Sequence, residues 1–183
     1  LLAGLAVWAG GFGANAVLRL TPDMPRLEET SFLEQSGKSD SGSSYYLFFS
    51  LECGHCSVVL YNLARSSPVE GNWYLSSLDA GPEAQNRLAR AAKSRAEGSV
   101  FFRVLKAKQA EAVEARRIPE DIPRSVEKAK AYFRGRGFEG VPLLVVREES
   151  GIRISLTGVD NIARYLWEEG VVQEWVRPEA KGE

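Results

Sequence analysis

From Tyr45 onward, the apolar residues follow patterns that alternate between those of strands and those of helices. The run Tyr45–Leu51 is apolar almost throughout, which is typical of a strand buried on both faces of a sheet. Apolar residues then recur at helical spacing in Cys53–Arg65, and a proline stop follows at position 68. A short strand is predicted over Trp73–Leu78. The order strand, helix, strand predicts a βαβ unit with a right-handed crossover.

The segment that follows, up to position 140, is predicted to be mostly helical. Pro82 marks a helix start, and Ala84–Ala96 is rich in Ala and Arg. Val100–Arg117 carries apolar residues at helical spacing, although SVFFRVL at 99–105 fits a strand equally well. A third helix is predicted over Pro123–Arg134, because apolar residues recur along one side of it and glycines follow.

The C-terminal part of the chain predicts a hairpin and one more helix. Leu143–Val146 and Ile152–Leu156 are rich in strand-forming residues and are separated by a short polar segment. Asp160 is predicted to cap a last helix that runs through Glu168.

The N-terminal residues 1–20 are apolar, with no charge before Arg19. They resemble the apolar part of an export signal, and their length also suits an uncleaved membrane anchor. A buried core helix is a third interpretation. Either export interpretation places the rest of the chain in a periplasmic or other extracytoplasmic compartment, where disulfides form readily. An uncleaved segment would anchor it to the inner membrane.

A polar stretch separates this segment from the first predicted strand. Thr21–Glu34 is acidic and contains prolines, and Gln35–Ser44 is rich in Ser, Gly and Asp. We therefore predict a flexible linker over 21–43, a folded domain over 44–177 and a disordered tail over 178–183.

Composition restricts the function classes further. A chain of 183 residues, 44% hydrophobic and 26% charged, fits one soluble globular domain. Its net charge of -1 favours no particular partner. From Glu83 to Glu139 there are 14 Lys and Arg residues against 8 Asp and Glu residues, which we interpret as the solvated faces of helices. Basic and aromatic residues are not interleaved in the way that base stacking requires, so nucleic acid is not expected as a partner.

The only cysteines are Cys53 and Cys56, three positions apart at the start of a predicted helix. Two cysteines exclude a multi-disulfide scaffold and a four-thiolate zinc site. The helix dipole and unpaired N–H groups at a helix start favour a thiolate, so Cys53 is the predicted nucleophile. Cys56, one turn on, is placed to resolve a mixed disulfide formed at Cys53. A disulfide between them would close too short a loop to contribute more than about 2 kcal/mol, which favours a redox role over a structural one.

His55 lies between the two cysteines. As a cation or a dipole it would stabilise the thiolate and make the pair more oxidising; alternatively it is an exposed residue without a role. Because it is the only histidine, no Cys-His-His metal site can form, and no metal is expected. Ser57 after the second cysteine excludes a c-type haem attachment motif. The only redox group expected is the Cys53–Cys56 disulfide, with no bound cofactor.

Three segments together resemble the thioredoxin superfamily: the apolar run YYLFFSL, the Cys-Gly-His-Cys motif and Gly140-Val141-Pro142. The tetrad is the one found in protein disulfide isomerases, and the helical insertion at about 83–136 with an export signal is similar to periplasmic Dsb-type proteins. The resemblance implies an α/β thioredoxin-like fold, with a central mixed sheet flanked by helices and the insertion placed before the cis-proline strand. It also implies that Val141 and Pro142 form a cis-proline loop beside the dithiol and bind substrate peptides.

Two positions depart from the family pattern. Leu47 stands where thioredoxins carry a buried acid that assists proton transfer, which argues against efficient reductase chemistry. Glu52 replaces the aromatic residue usual before the dithiol, and its negative charge opposes formation of a thiolate at Cys53.

The function expected from these residues is that of a thiol–disulfide oxidoreductase, an oxidase or isomerase. It would act on exported cysteine-containing proteins with Cys53, Cys56 and His55 as catalytic residues. A membrane-bound or soluble redox partner would reset the dithiol, and the chain is expected to be a monomer. Two alternatives stay open: a dedicated envelope reductase for one partner, and a thioredoxin-fold assembly component of an envelope or secretion complex.

Overall fold

The computed structural model describes residues 25–36, 42–66, 69–94, 98–110 and 118–176. The predicted signal or anchor at 1–20 and the predicted tail at 178–183 lie outside these residues. Among the helices described, none is both long enough and apolar enough to cross a membrane.

The described residues form five strands and five α-helices, preceded by a 3-10 turn at Leu27–Thr30. In chain order the elements are β1 Leu33–Ser36, β2 Ser44–Phe49, α1 Gly54–Arg65, β3 Asn72–Ser77, α2 Pro82–Lys93, α3 Val100–Gln109, α4 Asp121–Gly135, β4 Leu143–Glu148, β5 Gly151–Thr157 and α5 Val159–Glu168. The predicted strands, the last hairpin and the helices are therefore all present. Most of their ends differ from the predicted ones by a few residues, and the end of α3 differs by more.

The five strands form one mixed sheet in the order β1-β3-β2-β4-β5. The strands β2 and β3 pair in parallel, and α1 connects them along the chain, which confirms the predicted βαβ unit. The other neighbouring pairs are antiparallel. At the centre, Leu47 of β2 lies between Leu75 of β3 and Leu144 of β4, and all three are fully buried.

The two faces of β2 belong to different core clusters. Leu47 and Phe49 belong to the larger core cluster, which includes apolar residues of α1, α2, α3 and α5. Phe48 points to the other face, where its ring stacks on Tyr132 of α4 with centroids 5.7 Å apart. Burial on both faces explains why this strand is apolar at almost every position.

The predicted linker over 21–43 is wrong for the part that the structure describes. The strand β1 pairs with β3, with Leu33 opposite Leu75, and Leu33 is buried. Lys128 of α4 also donates a hydrogen bond of 2.7 Å to Glu29 in the preceding turn. The folded domain thus includes residues 27–36. An edge strand of four residues with a single buried apolar side chain has too little periodicity to be recognised in an acidic sequence.

Three helix predictions are corrected or decided. Residues 100–109 are a helix and not a strand, and the Ser99 side chain caps it by accepting the N–H of Phe102 at 3.3 Å. This helix ends at Gln109, whereas the prediction extended it to position 117; residues 111–117 lie outside the description. Asp160 is not the cap of α5, because Gly158 holds that position and Asp160 lies in the first turn.

The C-terminal segment is attached to α1 by one buried side chain. The Asn62 amide donates to the carbonyl of Val176 at 2.8 Å, and its oxygen accepts the Val176 N–H at 2.7 Å. Asn62 is 1% exposed, so water cannot replace these bonds.

Candidate active site

The two cysteines lie where β2 passes into α1. The strand ends at Phe49, a three-residue loop follows, and Cys53 is the residue that caps α1. Its sulfur accepts the backbone N–H of Cys56 at 3.2 Å, a capping hydrogen bond that a side-chain oxygen accepts in most helices. A sulfur in this position faces the positive end of the helix dipole, which favours its anionic form.

The two sulfurs differ in exposure. Cys53 is half-buried, whereas Cys56 is only 1% exposed, and both are free thiols in this structure. Burial raises the pKa of the Cys56 thiol, and the hydrogen bond with Cys53 raises it further. The Ser50 backbone and the charge of Lys108 lower this pKa in part. Cys56 therefore stays protonated at neutral pH while Cys53 is accessible to a reaction partner.

Val141 lies next to Cys53, although 88 residues separate them in the sequence. The Cys53 thiol donates to the Val141 carbonyl at a sulfur-to-oxygen distance of 3.6 Å, and the peptide bond between Val141 and Pro142 is cis. The structure thus brings the predicted substrate-binding pair to the dithiol. Pro142 itself is buried, and its carbonyl accepts the N–H of Gly158 at 3.1 Å.

His55 and Glu52, the two charged or titratable neighbours singled out by the sequence, are both exposed. His55 is the second residue of α1, so its ring stands at the positive end of the helix. The Glu52 carboxylate lies 3.6 Å from a guanidinium nitrogen of Arg87 in α2, which also pairs with Glu83. The charge that was expected to oppose a thiolate at Cys53 is thus partly compensated from α2.

Asp79, which the sequence analysis did not select, holds the loop before Cys53. Its carboxylate accepts the Ser50 hydroxyl at 2.7 Å, the Leu51 N–H at 2.7 Å and the Ser77 hydroxyl at 2.9 Å. Asp79 follows β3, and Ser50 follows the parallel strand β2, so the two meet at one edge of the sheet. A carboxylate directly after a strand that neighbours the cysteine strand is the signal that could have identified it.

Lys108 of α3 is the second residue that the sequence analysis missed. Its ammonium group donates to the Ser57 hydroxyl at 2.6 Å and to the Cys53 carbonyl at 3.4 Å. The Ser57 hydroxyl donates in turn to that carbonyl at 3.3 Å. The sequence assigned this lysine to the solvated face of a helix, and nothing in its spacing distinguishes it from Lys106, since its position depends on how α3 packs against α1.

The described residues contain no cluster of three or more His, Cys, Asp or Glu side chains that could hold a metal ion. Leu47, at the position of the buried acid in thioredoxins, is fully buried among apolar residues. The direct polar contacts of Cys53 include the Cys56 N–H, the Ser57 hydroxyl, the Lys108 ammonium group and the Val141 carbonyl.

Comparisons with known proteins identify the fold. No protein-family model matches the chain, and no curated protein matches it in sequence. Among solved structures, a variant of Wolbachia pipientis alpha-DsbA1 aligns with a TM-score of 0.52 at 9% identity, covering 73% of this chain and 88% of that chain. A second variant of the same protein aligns with a TM-score of 0.51 at 10% identity, covering 78% and 94%. Helicobacter pylori DsbG aligns at 21% identity with a TM-score of 0.46, and this chain spans 55% of its length while 63% of this chain is covered.

At these identities the similarity shows the fold and nothing finer. The chain has a thioredoxin-like fold, with a mixed five-stranded sheet flanked by helices, as in the Dsb-type structures. This confirms the fold class predicted from the sequence.

Replacing Asp79 by Ala is expected to lower the free energy of unfolding by about 2–3 kcal/mol, because two hydroxyls and the Leu51 N–H lose a charged acceptor. Urea unfolding measures this change. The matched control is Asp121→Ala, at an exposed position in the first turn of α4, for which we expect a loss of less than about 1 kcal/mol. Equal losses in the two variants would show that Asp79 does not hold the loop.

Proposed function

We propose that this chain is a thiol–disulfide oxidoreductase, an oxidase or isomerase acting on exported proteins that contain cysteine. The observation that carries this proposal is the pairing of an accessible sulfur at the start of α1 with a buried sulfur one turn on. Because Cys53 can be reached and Cys56 cannot, a mixed disulfide with another protein would form at Cys53.

The exchange then proceeds in two steps. When the dithiol oxidises a substrate, a substrate thiolate attacks the Cys53 sulfur of the Cys53–Cys56 disulfide. The Cys56 sulfur leaves with the electron pair and takes up a proton. A second substrate thiolate then attacks the substrate sulfur of the mixed disulfide, so that the substrate disulfide forms and Cys53 leaves reduced. Isomerisation uses the same chemistry but begins from the reduced dithiol.

Val141 is proposed to hold the substrate peptide in register with Cys53. Its carbonyl lies 3.6 Å from the Cys53 sulfur, so an extended peptide that pairs with this backbone would place its own sulfur beside the nucleophile. Val141 is only partly buried, which leaves that backbone accessible. Pro142, buried behind it, would fix the direction of the loop.

The proposed compartment is extracytoplasmic, with a membrane-bound or soluble redox partner that resets the dithiol. It is supported by the apolar segment 1–20 and by the need for an oxidising environment. Protease treatment of spheroplasts is expected to digest the full-length protein, because it would lie outside the cytoplasmic membrane. Protection equal to that of a cytosolic marker would contradict this location.

Cys53→Ser is expected to abolish reactivation of a scrambled disulfide protein, since no nucleophile would remain at the accessible position. Cys56→Ser is the matched variant: it keeps the nucleophile and is expected to accumulate a mixed disulfide with the substrate, visible on a non-reducing gel. Activity of Cys53→Ser equal to that of the natural chain would overturn the proposed function and favour a role in assembly.

His55→Ala is expected to lower the reduction potential by about 30 mV, a tenfold change in the equilibrium constant, because the thiolate of the reduced form loses a cation or dipole that stabilises it at the helix start. Equilibration with glutathione buffers measures the potential. Glu52→Gln is the control of opposite sign and is expected to raise the potential, because it removes an exposed negative charge beside Cys53. A His55→Ala potential equal to that of the natural chain would make His55 an exposed residue without a role.

The absolute potential also separates the proposed oxidase from a reductase that serves one partner. A value near the oxidising end of the family range, about -120 mV, is expected for the oxidase, and one near about -270 mV would indicate the reductase.

A further inference from the structure

We propose that Lys108 is a positioning residue whose charge stabilises the Cys56 sulfur as an anion at the moment when the Cys53–Cys56 bond forms or breaks. This inference rests on the proposed exchange chemistry and adds to it a role for the helical insertion, which contributes a cation to the dithiol from α3.

The chemical need for such a group follows from burial. In either direction of exchange, Cys56 passes through a thiolate: it attacks the Cys53 sulfur as one, or leaves with the electron pair as one. Cys56 is 1% exposed, and burial raises the pKa of its thiol, so water stabilises this anion poorly. Thioredoxins carry a buried acid at the position of Leu47, and here that position is apolar.

The geometry shows that Lys108 is held at the start of α1. The ammonium group binds the Ser57 hydroxyl at 2.6 Å and the Cys53 carbonyl at 3.4 Å, and those residues flank the turn that contains Cys56. Two hydrogen bonds to α1 restrict a side chain that would otherwise move freely in solvent. The lysine is half-buried, so its charge is screened less than that of an exposed lysine.

Neither Arg87 nor His55 serves as well. Arg87 lies between two carboxylates, those of Glu52 and Glu83, which neutralise its charge. His55 is exposed, so solvent screens it more than it screens the half-buried lysine. In the sequence His55 precedes Cys56, whereas Ser57 follows it. The two acceptors of Lys108, in contrast, are a hydroxyl and a carbonyl, both neutral, so its positive charge remains available to the sulfur.

In the resolving step, a mixed disulfide joins Cys53 to a second molecule. The Cys56 proton leaves to solvent, the Cys56 sulfur attacks the Cys53 sulfur, and the second molecule departs as a thiolate with the electron pair of the broken bond. The Cys53–Cys56 bond forms in the same step. Lys108 exchanges no proton or electron in this scheme; it lowers the free energy of the attacking anion.

The experiment measures the rate of the resolving step, with oxidised glutathione as the probe. Reduced protein is mixed with it, quenched in acid at intervals and analysed by mass spectrometry for the glutathione adduct and for the internal disulfide. Lys108→Met is expected to slow conversion of the adduct into the internal disulfide about tenfold, which is the effect of one pKa unit on a thiolate. Lys93→Met, at an exposed position at the end of α2, is the control and is expected to change this rate less than about twofold.

Two further variants separate charge from hydrogen bonding. Lys108→Arg keeps the charge and is expected to recover most of the rate. Lys108→Gln keeps a donor for Ser57 without the charge, and it also serves if Lys108→Met does not fold; its rate is expected to match that of Lys108→Met. A Lys108→Gln rate equal to that of the natural chain would overturn the proposal, as would equal slowing by Lys93→Met.

Failure of this inference can be distinguished from failure of the proposed function. Resolution by Cys56 is measured here with glutathione, so the result does not depend on whether the chain acts on exported proteins. A chain that is inactive on substrate proteins, but whose resolving rate still depends on the Lys108 charge, would contradict the proposed function and support the inference.

Discussion

The site depends on one constraint: β2 must be buried on both faces and must end where α1 begins. Leu47, Phe48 and Phe49 are fully buried, so the end of this strand is fixed relative to the rest of the sheet. The cysteine that caps α1 therefore has a fixed position, and its sulfur accepts the backbone N–H of Cys56. The junction of β2 and α1 sets the positions of Cys53 and Cys56. The other residues of the site change the polarity and charge around these two sulfurs.

Much of this arrangement could be predicted from the sequence, since the strongest signals are local. The apolar run of β2, the two cysteines three positions apart and the Val141-Pro142 step each carry their own pattern, and together they predicted the fold. The edge strand β1 could not be predicted, because its stability comes from pairing with β3 across about forty residues rather than from its own residues. Asp160 was assigned as a cap by residue type, whereas the backbone placed Gly158 there.

The residues that the sequence analysis missed share one property: tertiary packing brings each of them to the loop or the helix that carries the dithiol. Asp79 reaches the loop because β2 and β3 are parallel, and Lys108 reaches α1 because α3 packs across it. Both belong to polar stretches in which a charged residue is ordinarily solvated. The basic surplus between positions 83 and 139 was interpreted as solvated helix faces, but Arg103 is buried and Lys108 binds the start of α1, so composition does not separate such cations from solvated ones.

The bond between Asn62 and Val176 has a consequence for the boundaries of any shortened chain. Asn62 lies two turns along the helix that Cys53 caps, and both of its polar ends are occupied by the backbone of a single C-terminal residue. A protein cut before position 176 would leave the Asn62 side chain bonded only to the Val58 carbonyl, inside the helix that carries the dithiol. Val176 in the C-terminal segment is thus part of the structure that holds the helix carrying the dithiol, although it lies 114 positions from Asn62 in the sequence.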